Sequence, residues 1–178
     1  MTMYAIISVH DKDGVERLAS ALRTRGVFVL ATPGTRAYLA EHGIDCRPVS
    51  NVTGFDSMCA GGIKTLHPAV HKMITTGEIA YVVVDFLPPV RSFDGTLTTD
   101  IGGPALVLSG IKHHDHVCVI ARAAHFDELS RTVEDGAVNR GYRKGCAHRA
   151  QEELIAYEQR VLALLEDEDD QGNIRAHH

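Results

Sequence analysis

Lys64-Thr65-Leu66-His67-Pro68 follows Gly61 and Gly62 and precedes His71. The lysine lies in a glycine-led loop rather than on an amphipathic face, and glycines let a backbone approach a ligand closely. Asp100-Ile101-Gly102-Gly103-Pro104 sets a carboxylate before a Gly-Gly turn. That aspartate is either a reactive acid or the cap of the following helix. Lys112 stands twelve residues on, before His113-His114-Asp115-His116. Two segments nearer the start suit an anion: Ser8, His10 and Lys12, and then Thr32, Gly34 and Thr35. Hydroxyls, free backbone N–H groups and a helix start together bind phosphate, although Ser, Gly and Thr also cap helices with no ligand. The chain has neither GxxxxGK[ST] nor GxGxxG, so the common nucleotide fingerprints are missing. His67 and His71 at i, i+4 and the 113–116 cluster lack a further ligand at metal spacing, so no metal site is expected.

The elements that must hold these residues alternate. Tyr4 to Val9 and Val27 to Leu30 are short apolar runs of the kind buried on both faces of a sheet. Val15, Leu18, Ala19 and Leu22 share one helix face, and Gly26 ends that helix. A turn at Thr32 to Thr35 leads to a second helix, and Ile44 to Val49 reads as a third strand. Residues 50–80 read as irregular, broken by glycine and proline. Ile79 to Phe86 is a strand closed by Pro88 and Pro89, and residues 91–99 read as a polar loop. A helix over Ala105 to Ile111, a strand over Val117 to Ile120, and helices over residues 125–133 and 146–165 complete the series. The pattern predicts an α/β fold: a doubly wound, mostly parallel sheet of about five strands with helices on both faces. Ligands of such sheets bind where the strands end and the loops enter helices. Residues 1–165 read as one domain, and residues 166–178 as an acidic, flexible tail.

Composition narrows the function. The chain has 178 residues, a formal net charge of −5 and a charged fraction of 23%. That balance argues against a nucleic-acid binder, which needs a basic face. No apolar run approaches the ~18 residues of a membrane span, and the first residues do not resemble a signal peptide. Cys46, Cys59, Cys118 and Cys146 form no CxxC pair and read as reduced thiols of a cytoplasmic protein.

Taken in order, these segments resemble the inosine monophosphate (IMP) cyclohydrolase domain of bifunctional AICAR transformylase/IMP cyclohydrolase, which has the methylglyoxal-synthase-like fold. The resemblance is carried by Ile7 to Lys12, Ala31 to Thr35, Val52 to Phe55, Lys64 to Pro68 with His71, Val82 to Val84, Asp100 to Pro104, Lys112 with His114, and Lys144 to His148. It implies a homodimer acting on a small-molecule ribonucleotide without cofactor or metal. The implied reaction closes a purine ring: a carboxamide nitrogen attacks a formyl carbon and water leaves. Ser8, Lys12, Thr32, Gly34 and Thr35 fall on the family's phosphate loops. Lys64, Asp100 and Lys112 fall on its catalytic lysine, acid and second lysine, with Lys112 paired to Asp100. Thr65, Asp85, Ile101 and Gly102 fall on its substrate contacts. The chain departs from the family at the site: Gly62 stands at an arginine, Leu87 at a tyrosine, Asp85 at an asparagine, His10 and Ala31 at serines, and Pro33 at a glycine. A diverged paralogue acting on a related heterocyclic ribonucleotide, or a non-catalytic nucleotide-binding module, is the alternative.

Overall fold

Side-chain alternation builds the sheet. In β1 (Tyr4–Val9), Ala5, Ile7 and Val9 belong to one apolar cluster and Ile6 to another, as period-2 geometry requires of a strand covered on both sides. β2 (Phe28–Ala31), β4 (Ile79–Asp85) and β7 (Cys118–Ile120) divide in the same way. The computed structural model describes residues 2–55 and 64–175. Gly61, Gly62 and Cys59 lie outside the described residues.

Five parallel strands run in the order β3-β2-β1-β4-β7, where β3 is the two-residue edge pair Arg47–Pro48. The chain moves outward through β1, β2 and β3, then returns to the other side of β1 with β4. The strand order therefore reverses between β1 and β4. One face is covered by α1 (Val15–Thr24) and α6 (Phe126–Glu134), which pack on each other; α2 (Pro33–Glu41) adds Leu39 to the same core. α4 (Pro68–Thr76), α5 (Gly102–Lys112) and the middle of α7 (Arg140–Arg175) cover the other. These contacts bear out the doubly wound α/β expectation.

Local departures have local causes. The segment read as irregular contains a short helix, α3 (Ser50–Thr53), and all of α4. Pro68 supplies a preset φ in the first turn of α4, the His67 ring accepts a hydrogen bond from the Ala69 N–H, and Gly77 follows its last turn. Thr32 to Thr35 is not a free turn: α2 begins at Pro33. The expected third strand shrinks to two paired residues because only Leu30 and Ala31 of β2 have partners there. The polar loop at 91–99 holds a small antiparallel hairpin of β5 (Val90–Arg91) and β6 (Leu97–Thr98). The last helix starts at Arg140, six residues before Cys146.

α5 lies close to the sheet because Gly110 has no side chain. A methyl there would sit 2.9 Å from the Val119 Cβ and 3.4 Å from the Val82 Cβ. Gly110→Ala is expected to lower stability by about 1–3 kcal/mol, the usual cost of overpacking a close contact. Chemical denaturation of the variant checks this; unchanged stability would mean that α5 moves off the sheet freely.

Candidate active site

The reversal of strand order opens a crevice at the carboxyl edge of the sheet. Register places Ser8 opposite Val84 and Val9 opposite Asp85, so the ends of β1 and β4 form its floor. A cleft of about 420 Å³ lies there. Ser8, Val9 and His10 enter it from β1; Thr32, Pro33 and Gly34 from the start of α2; Asp85 and Leu87 from the end of β4; and Thr98 to Asp100 from the segment before α5. Lys64 completes the wall. The structure thus brings together Lys64, Asp100, Ser8, Thr32, Gly34 and Asp85, which lie far apart in sequence.

The Asp100 carboxylate is held from two sides. Its Oδ1 accepts the Gly103 N–H at 2.9 Å, and its Oδ2 accepts the Leu87 N–H at 3.4 Å. Each carboxylate oxygen has a second lone pair, so capping α5 and facing the cleft are compatible. Gly103 makes room for this arrangement: a methyl there would lie 2.5 Å from Asp100 Oδ2 and 3.1 Å from the Phe86 ring. Ile101 and Gly102 flank the same helix start, Ile101 exposed and Gly102 buried.

Lys64 is half-buried at the turn before α4, and the half-buried His71 steadies that turn. His71 Nδ1 lies 2.7 Å from Ser109 Oγ of α5, and its ring also hydrogen-bonds the Thr65 backbone. Burial lowers the His71 pKa below its ordinary value, partly opposed by the Thr65 bond. The imidazole is therefore held neutral as a tie between α5 and the Lys64–Thr65 turn.

Several expected site residues do other work. Thr35 is buried, and its hydroxyl accepts the Val9 N–H at 3.2 Å, joining α2 to the end of β1. Thr65 is buried too. The Lys12 ammonium donates to the His10 carbonyl at 3.0 Å and does not line the cleft. The expected Lys112–Asp100 pair does not form within one chain. Lys112 ends the helix that begins beside Asp100, and ten residues at ~1.5 Å each separate the two ends by ~15 Å. Asp85 lines the cleft, but both its oxygens hold backbone: Oδ2 accepts the Asp11 N–H at 3.0 Å and Oδ1 the Ala123 N–H at 3.2 Å. Sequence reasoning missed Thr98 and Thr99; their only signal was adjacency to Asp100.

Asp85 also separates this cleft from a larger one of about 580 Å³. The walls of the larger cleft include Asp11, Asp13, Glu16 and Asp127, against Arg17 and Arg122. Arg17 is paired with Asp127 at 3.4 Å and Arg122 with Glu153 at 3.0 Å. Such walls repel a phosphate, whereas the smaller cleft offers hydroxyls, Lys64 and the start of α2. Among the described residues no group of three or more His, Cys, Asp or Glu side chains is arranged to hold a metal. His113, His114 and His116 instead contact Thr75 Oγ1, the Ile111 carbonyl and the Ile74 carbonyl. No described helix is long and apolar enough to cross a membrane.

The neutral His71 links stability to pH. Its folded pKa lies below its unfolded one, so the unfolded chain binds the proton more readily. Its contribution is whole above the unfolded histidine pKa and falls as pH drops through that value toward the folded pKa. Denaturation midpoints of the wild type are therefore expected to fall between about pH 7 and pH 5, and His71→Gln to flatten part of that slope. An unchanged slope in the variant would exclude His71 as the titrating tie.

Comparisons with known proteins agree with this fold. Residues 14–95 match the MGS-like domain family. The bifunctional purine biosynthesis protein PurH of Rhizobium meliloti (strain 1021) is 32% identical in an alignment that covers 86% of this chain and 33% of that protein. The chain thus spans about a third of the length of this curated relative. A solved structure described as the crystal structure of ForH superposes with a TM-score of 0.77 at 26% identity, covering 93% of this chain and 100% of its own. Residues 14–95 are thus similar to the MGS-like domain family, and the chain is similar, over 86% of its length, to a part of PurH.

Proposed function

We propose that the cleft between β1 and β4 binds a purine-precursor ribonucleotide and closes its second ring, as an IMP cyclohydrolase. The observation that supports this reading best is the meeting of Lys64 and Asp100 on one cleft with the hydroxyls and helix start of the phosphate-type loops. The phosphate of a formylated aminoimidazole carboxamide ribonucleotide sits against Ser8, Thr32 and Gly34, where α2 begins. Lys12 and Thr35 support that cradle from outside the cleft, by holding the His10 carbonyl and the Val9 N–H. The base reaches toward Asp100 and Lys64. The backbone at Ile101 and Gly102 meets the carboxamide.

The chemistry follows from two charges. The carboxamide nitrogen is a weak nucleophile, and Asp100 orients its NH₂ and accepts one proton as the N–C bond forms. Lys64 stabilises the oxyanion that develops on the formyl oxygen. That oxygen leaves as water with one proton from the carboxamide and one from the formamido nitrogen, so no cofactor or metal enters the balance. Lys112 takes no part within the same chain. A cytoplasmic setting belongs to this reading, as does a homodimer, for which α5 and α7 present exposed Leu108, Ile155 and Leu162 on two helices that pack together.

One observation favours a changed substrate. Leu87 is 40% exposed in the cleft wall, where the resembling family has a tyrosine, so this position offers no hydroxyl. A related heterocyclic ribonucleotide is the second reading.

Mixing the protein with formyl-AICAR and following IMP by its ultraviolet change tests the first reading. Turnover is expected, reduced about 100-fold or more in Lys64→Ala and in Asp100→Asn, in line with the loss of one acid–base or oxyanion group. Asparagine still caps a helix, so the second variant removes charge with little loss of fold. Full turnover in both variants would refute the assignment. No wild-type turnover together with IMP binding would favour the changed substrate. Sedimentation of the wild type is expected to report twice the 19.4 kDa chain mass, and Leu108→Glu to shift it toward the monomer. A monomeric wild type would remove the dimer from this reading.

A further inference from the structure

Behind the cleft wall, α7 holds Asp100 through Tyr157. Tyr157 is 1% exposed, and its hydroxyl accepts the Asp100 N–H at 2.6 Å while lying 3.4 Å from the Asp100 carbonyl oxygen. A tyrosine hydroxyl has one proton and can accept as well, so it satisfies both main-chain groups of a single residue. The Tyr157 ring lies 4.9 Å from that of Phe86, which in turn closes on Gly103. Phe86 precedes Leu87, whose N–H holds the Asp100 carboxylate. Tyr157, Phe86, Gly103 and Asp100 thus form one packed unit with the carboxylate at its cleft side.

A second contact ties α7 to the same segment. Arg91 Nε and Nη2 donate to the Leu164 carbonyl at 3.2 and 2.7 Å. Arg91 belongs to the hairpin that runs into Thr98, Thr99 and Asp100. α7 therefore grips residues 91–100 at both ends. A phenylalanine at 157 would fill the same space, so apolar packing alone does not call for the hydroxyl. The structural demand that it meets is the Asp100 main chain, whose N–H would otherwise stay unpaired in a partly buried place.

We infer that Tyr157 is a positioning residue: its hydroxyl fixes the Asp100 backbone, and thereby sets the angle at which the carboxylate faces the cleft. The inference rests on the proposed role of Asp100. Small misplacements of a catalytic group cost rate more than binding.

The test is Tyr157→Phe, which deletes the hydroxyl and keeps the ring. With formyl-AICAR, kcat is expected to fall about tenfold or more while KM stays within about twofold. Tyr142→Phe serves as control, since it removes a hydroxyl from the same helix on the side packed against the opposite core, and its activity should match the wild type. Amide hydrogen exchange gives a readout independent of turnover: the Asp100 amide should exchange slowly in the wild type and faster in Tyr157→Phe. Full activity in Tyr157→Phe with loss in Asp100→Asn overturns the inference alone. Full activity in both variants overturns the reading of the cleft as well. Fast exchange at Asp100 in the wild type overturns the inference whether or not the variant folds.

Discussion

The reversal of strand order between β1 and β4 is the constraint on which the rest depends. Between β1 and β4 the crossovers leave in opposite directions, and an opening remains. Asp85 stands at that point and spends both carboxylate oxygens on backbone N–H groups of two different loops. It divides the opening in two, one part lined by carboxylates and the other by hydroxyls and Lys64. Size would favour the first for a ligand; electrostatics favours the second for an anionic one.

The sheet was legible because its central strands are buried on both faces and so read as continuous apolar runs. β1 and β4 satisfy that condition. β3 does not: it pairs through two residues at an edge, so the strand read over Ile44 to Val49 is longer than the one that forms. α4 was hidden by the glycines around it, although Pro68 and Gly77 bracket it as helix punctuation does. The site shows the same division. Ser8, Thr32, Gly34, Lys64 and Asp100 could be placed together because all lie at strand ends or helix starts of one edge. Thr35 and Lys112 could not be excluded from it, because their positions within a helix, and not their types, decide where they point. Thr35 lies in the first turn of α2 and faces inward to Val9; Lys112 is carried to the far end of α5.

Tyr157 shows a different limit. In sequence it belongs to the apolar stripe of a long helix with Leu154 and Val161, and a stripe is read as core. It is core by burial, and Phe86 is its neighbour. Its hydroxyl partner lies 57 residues away, so no local spacing announces the contact.

For Asp100, capping α5 and the proposed role as an acid are compatible. A cap requires a carboxylate oxygen near the N–H two or three residues on, and Oδ1 meets Gly103 in that way. The same bond removes most of the side chain's rotational freedom, and the Leu87 N–H removes much of the remainder. A carboxylate so restrained has already lost the entropy that a flexible acid would lose on reaching its substrate. Glycine at 103 is the counterpart of this arrangement, because any side chain there would occupy the place of the carboxylate or of the Phe86 ring behind it. In the proposed function, the cap of α5 and the orientation of the acid thus come from one pair of hydrogen bonds.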